Sequence, residues 1–127
     1  MSPRNPVPFP AQALGQKLAT GNALEETVTI YRGVRRTHPG FEDAERGIAK
    51  PRGGHTDVFE HNRGNTASMF TSWSKNRRVA QRFAGNDGVV LELTVPKSRT
   101  TWSPNIFPNE DEVLIERLVT DAKVSRQ

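Results

Sequence analysis

Thr27-Val28-Thr29-Ile30-Tyr31 alternates polar and apolar β-formers, which predicts a strand that Arg32-Gly33 closes. Val89-Val90-Leu91-Glu92-Leu93-Thr94-Val95 is the clearest strand pattern in the chain, and Pro96 stops it. Glu112–Val119 predicts a further strand, with Val113 and Ile115 on one face and Leu114 and Leu118 on the other. Met69–Ser74 reads as a short strand. Helical spacing is rarer. Leu14 and Leu18 stand at i, i+4 in Ala11–Thr20, a short amphipathic helix weakened by Gly15 and stopped by Gly21-Asn22. Val79 and Phe83 share a face of a helix over Lys75–Ala84, with Ser74 as its N-cap and Gly85-Asn86-Asp87-Gly88 as the turn that ends it.

Between these elements, residues 34–67 carry five glycines and two prolines. A short helix fits around Phe41–Gly47, and the rest reads as loop, long enough to suggest a function. Lys97–Asn109 holds Pro104 and Pro108 and reads as a loop carrying Trp102 and Phe107. The order helix, strand, loop, strand, helix, strand, loop, strand predicts an α+β fold, with helices on a small antiparallel or mixed sheet. Residues 1–10 hold four prolines and read as an arm, and 11–127 as one domain. The Met1 start and this arm fit a domain cut from a longer chain.

Composition narrows the chemistry. Only 34% of the 127 residues are hydrophobic, lean for a domain, yet they are clustered. With no cysteine, a disulfide framework, a thiolate nucleophile and a zinc ribbon are excluded. Three histidines leave little for a metal site, so none is expected. No apolar run approaches the roughly 18 residues of a membrane span, and the first ten residues lack the apolar centre of a signal peptide. The net charge of +4 is uneven. Arg32 to Arg82 holds 11 basic and 5 acidic residues, whereas Phe83 onward holds 5 basic and 7 acidic. A basic centre beside an acidic C-terminal part suits a site that binds an anion and carries a working carboxylate; two solvated faces would give the same counts.

Three short features carry candidate chemistry. Tyr31-Arg32-Gly33 places a planar guanidinium fork at a strand end, where glycine admits a ligand close to the backbone. Phe70-Thr71-Ser72-Trp73-Ser74 puts Phe70, Ser72 and Ser74 on one strand face, and paired hydroxyls can orient a ribose or a carboxylate. Glu110-Asp111-Glu112 places two like charges side by side at the mouth of a strand, costly unless a cation or hydroxyl faces them.

In this order, the three features resemble the Arg–Ser–Glu class of mono-ADP-ribosyltransferases, and more closely the small transferase domains at the C-termini of bacterial polymorphic toxins. The resemblance spans about residues 27–119, with FTSWSKNRRVAQRFAG and the valine-rich strand after it as its strongest part. It implies a split-sheet sandwich with short helices around an NAD cleft, NAD as co-substrate and no metal. Arg32 then matches the arginine that holds NAD phosphate and ribose, with Tyr31, Gly33 and Phe70 beside the cofactor. Ser72 matches the serine that orients the catalytic glutamate, and Ser74 the second serine of that motif. Trp73 replaces the usual middle threonine. Glu112 matches the catalytic glutamate and Glu110 the first acid of Glu-x-Glu, linked in this family to arginine acceptors. Phe107 sits where an aromatic side chain often touches the acceptor. The resemblance also implies a delivered effector acting in a target-cell cytoplasm, with a cognate immunity protein as partner.

The acceptor stays open at this level. Glu-x-Glu points to a protein arginine. Arg35, Arg36, Lys50, Arg52, Lys75, Arg77, Arg78 and Arg82 point to the backbone of RNA or DNA, with Arg77 and Arg78 as candidate substrate contacts. Rival readings are an RNA-binding module that stacks bases on Trp73, Phe70 or Trp102, a nuclease using His38, His55 or His61, and an inactive interaction domain. His55 and His61 fall in the long loop, where exposed polar residues are the ordinary expectation.

Overall fold

The computed structural model describes residues 25–105 and 110–127. The Pro-rich arm, the expected helix over Ala11–Thr20 and Phe107 lie outside the described residues. Six strands form one antiparallel sheet: β1 (Thr27–Val34), β2 (Phe70–Ser74), β3 (Val89–Pro96), β4 (Thr100–Trp102), β5 (Glu112–Glu116) and β6 (Lys123–Arg126). Their order across the sheet is β4-β5-β2-β1-β3-β6. Among the described residues, three short α-helices pack with it in an α+β arrangement: α1 (Phe41–Ala44), α2 (Val58–Asn62) and α3 (Arg77–Ala84).

The sheet is narrowest at its middle. β1 and β3 pair along their whole length, from Thr27 opposite Pro96 to Val34 opposite Val89. β2 and β5 pair from Phe70 opposite Glu116 to Ser74 opposite Glu112. Between these halves, β1 meets β2 at one pair only, Tyr31 opposite Ser74. Strands that part after one pair leave backbone groups unbonded, and other donors must satisfy them.

β3 anchors both faces. Val89, Leu91, Leu93 and Val95 join Ile30, Val34, Trp73, Ile115 and Val119 in the main core. Val90 points the other way, into a small cluster with Ala80 and Ala84 of α3 against Tyr31. Burial on both sides explains the unbroken apolar start of β3. α3 sits close on β1 because position 33 has no side chain: a Cβ on Gly33 would lie 1.8 Å from the Ala80 carbonyl oxygen. Gly33 therefore admits the close approach of a helix.

Several boundaries differ from expectation, each for a local reason. β1 runs on through Arg32-Gly33 because β3 pairs with it to Val34. Ser74 is not the cap of α3. Asn76 is, accepting the Arg78 N–H at 3.0 Å. Ser74 instead accepts the Asn76 N–H at 2.9 Å and donates to the Glu110 carbonyl at 2.5 Å, tying the turn before α3 to the acidic segment. Gly85 ends α3 at φ 71°, as its position suggests. The long loop is in fact pinned to the sheet by α1, α2 and isolated bridges at Ala49–Val119 and His55–Ser68. β4 and β6 were absent from the expected order. Each is a short edge strand with too few apolar positions to show an alternation.

Candidate active site

The place where β1 and β2 part opens into a cavity of about 230 Å³. Arg32, Ser72, Ser74, Glu110 and Glu112 all line it, together with Tyr31 and Gly33. Seven of the positions that the resemblance implies for an NAD site thus meet in one hollow. His38, Trp73, Val79, Ala80 and Phe83 complete its wall.

Arg32 lies on the core-facing side of β1, between Ile30 and Val34 in alternation. Its Nη1 donates to the Ser72 carbonyl at 3.0 Å, satisfying an acceptor that the parted strands leave free. Among the described residues, no carboxylate forms an ion pair with it. Burial pushes its pKa below the ordinary arginine value. A half-buried guanidinium with one backbone contact and no counter-ion is poised for an anionic ligand.

The acidic pair is held by neutral donors. Glu112 stands directly across from Ser74 at the start of β5. Its Oε1 accepts from Asn62 Nδ2 of α2 at 3.2 Å, from Asn105 Nδ2 at 3.1 Å and from the Ser103 hydroxyl. The same Asn105 nitrogen reaches Glu110 Oε1 at 3.0 Å, so one amide bridges both carboxylates. Three donors fix the Glu112 charge in place without neutralising it.

Ser72 does not make the expected bond to Glu112. Its hydroxyl meets His61 Nε2 at 3.1 Å, and His61 Nδ1 meets Ser68 Oγ at 2.6 Å. His61 is buried on α2, not exposed in a loop. Burial lowers its pKa, Glu112 raises it, and His55 and Arg32 lower it further. His38 also titrates below its ordinary value, first through partial burial and then through Arg32 and Arg35. Its Nδ1 accepts the Gly40 N–H at 2.8 Å.

Three expected contacts fall elsewhere. Phe70 is buried away from the cavity wall, with its ring edge-on to His61 at 5.9 Å. Alternation placed it on the face of Ser72 but could not show that α2 covers that end of β2. Arg77 is no free cation: it pairs with Glu92 at 3.1 Å, donates to Ser125 Oγ at 3.1 Å and lies over the Tyr31 ring. Arg78 is exposed beyond the cavity lining. On the Glu112 side, the exposed Phe59 and Trp102 rings meet edge-to-face at 5.9 Å.

No motif of the sequence marks Asn62, Ser103 or Asn105, and His61 figures there only as a nuclease candidate. One signal was present. Asp57-Val58-Phe59-Glu60 has the spacing of a helix start, and Asp57 does cap α2, accepting the Phe59 and Glu60 N–H groups. That helix would have brought His61 and Asn62 forward. No family model and no curated protein sequence matches the chain. Among the described residues, no cluster of His, Asp or Glu could hold a metal ion.

Proposed function

We propose that this domain is an NAD-dependent mono-ADP-ribosyltransferase of the Arg–Ser–Glu kind. The observation that carries the reading is the shared cavity, with an unpaired Arg32 guanidinium and a Glu112 carboxylate fixed by three donors. The parting of the sheet at Tyr31–Ser74 also suits the split sheet of such a fold around an NAD cleft.

In this reading Arg32 grips the diphosphate of NAD, matching charge and fork geometry. Ser72 donates to the ribose and nicotinamide end, while Ser74, whose hydrogen goes to the Glu110 carbonyl, holds the acidic segment against the cavity. The bond from the ribose anomeric carbon to the nicotinamide nitrogen breaks, and its electron pair leaves with nicotinamide, which becomes neutral. Positive charge develops on the ribose, and the fixed Glu112 carboxylate stabilises it more in the transition state than in the ground state. The acceptor nucleophile then bonds to the anomeric carbon, and its proton passes to Glu110. Ser72 acts on the ligand side here, since Asn62, Ser103 and Asn105 already hold Glu112.

A protein arginine is the first candidate acceptor, because Glu110 and Glu112 both face the cavity. RNA or DNA is the second reading, supported by exposed Arg35, Arg36, Arg78 and Arg82, none of which forms an ion pair among the described residues. A nuclease mechanism draws little support, since His61 is buried between two serines and His55 bonds the Asn65 carbonyl. The biological role that fits is a delivered toxin domain held in check by an immunity protein that plugs the cleft. The test incubates the domain with tagged NAD and a cell lysate. Label that resists nuclease and yields to protease marks a protein acceptor, and the converse marks nucleic acid. A lysate with no enzyme-dependent label overturns the transferase reading.

A further inference from the structure

The buried His61 is a titratable group that the steps above leave without a task. Ser68 settles its tautomer. Ser68 is fully buried, and its Oγ accepts the Phe70 N–H at 3.2 Å. Among the described residues, His61 Nδ1 is the one acceptor that the Ser68 hydroxyl hydrogen reaches. A buried hydroxyl uses its donor, so Ser68 donates and Nδ1 accepts. A neutral imidazole that accepts at Nδ1 carries its hydrogen on Nε2. That N–H donates to Ser72 Oγ. The Ser72 hydrogen is then not spent on His61 and is free to point into the cavity that Ser72 lines.

We propose that His61 is a positioning residue and an acid switch: as the neutral Nε2–H tautomer it turns the Ser72 hydroxyl toward the ligand, and its protonation disables the site. The ligand is NAD insofar as the transferase reading holds. Protonation adds a hydrogen at Nδ1, aimed at Ser68, and leaves the Ser68 hydrogen without an acceptor. It also places a cation beside Glu112, offsetting the charge that the ribose cation needs. The groups facing His61 are Glu112 of β5, which favours the imidazolium, and Arg32 of β1 and His55, which oppose it. On α2 itself, Glu60 is taken up by Arg63 and Asp57 caps the helix. Burial, with the Arg32 guanidinium and His55 also opposing protonation, outweighs Glu112, so the neutral form holds at neutral pH.

The test combines imidazole ¹⁵N NMR with pH profiles of nicotinamide release for three folded proteins. Wild type shows the Nε2–H tautomer, and release falls about tenfold per pH unit below the His61 pKa. His61→Gln keeps a donor toward Ser72 but cannot titrate, so its acid limb moves down to the carboxylate range near ~4. Ser68→Ala removes a bond that favours the neutral ring, so its acid limb moves up. An Nδ1–H tautomer, or acid limbs that coincide in all three proteins, overturns the inference. A wild type that releases no nicotinamide at any pH overturns the transferase reading instead, and the tautomer then decides the His61 network alone.

Discussion

Arg32→Met separates a ligand-binding cation from a structural one. A buried ion pair that loses one partner costs about 3–5 kcal/mol, because the remaining charge is stranded. Among the described residues, Arg32 has no such partner. Its removal gives up one hydrogen bond, to the Ser72 carbonyl. That loss is worth about 1 kcal/mol net. Removing a cation whose pKa burial already lowers offsets part of it. The melting temperature should therefore fall by less than about 5 °C, given the scaling for domains of this size. NAD binding should suffer far more. Each charge-assisted bond to a phosphate oxygen is worth about 1.5–3 kcal/mol, so losing a bidentate pair weakens binding by at least roughly a hundredfold. Trp73 lines the cavity, so quenching of its fluorescence can report NAD affinity beside thermal melts. A variant that melts far lower while binding NAD as wild type does would make Arg32 structural and refute the reasoning.

Gly33→Ala should destabilise the domain by about 1–3 kcal/mol, since its Cβ meets backbone of α3 and not a flexible side chain; a denaturant titration with unchanged midpoint would contradict the packing account. Asn105→Ala frees both carboxylates from their shared amide and should cut nicotinamide release by about 10- to 100-fold with the fold intact, read by steady-state kinetics and circular dichroism. Stability should fall as pH drops below about 6.5, because His61 and His38 bind protons more readily unfolded than folded. That contribution is full above the ordinary histidine pKa and is lost through the lowered folded values. Melting temperatures flat from pH 7 to 5 would contradict it.

The elements legible in the sequence were those that bury a regular face. β1, β3 and β5 alternate or run apolar because each packs against the core, and α3 buries Val79, Ala80 and Ala84, while Phe83, one turn after Val79, stays exposed. The edge strands stayed hidden because β6 has Val124 as its single strong apolar residue and draws its order from pairing with β3. The charged centre of the site was legible as Arg32, Ser72, Ser74, Glu110 and Glu112, since each stands at or near the end of a recognisable strand. The groups that hold those charges were not. Asn62 sits on a five-residue helix that leaves Phe59 exposed, so no apolar stripe marks it. Ser103 and Asn105 lie in an irregular stretch, where only the fold brings them to Glu112. The motif alone points Ser72 at Glu112, while the chain supplies two amides and a different serine.

Nicotinamide release from NAD by wild type and by Glu112→Gln tests the central claim most directly. Glutamine keeps the shape and removes the charge that Asn62, Ser103 and Asn105 hold in place. The account predicts that release falls by about 10²–10³ while NAD still binds. A folded Glu112→Gln domain that releases nicotinamide at the wild-type rate would contradict it.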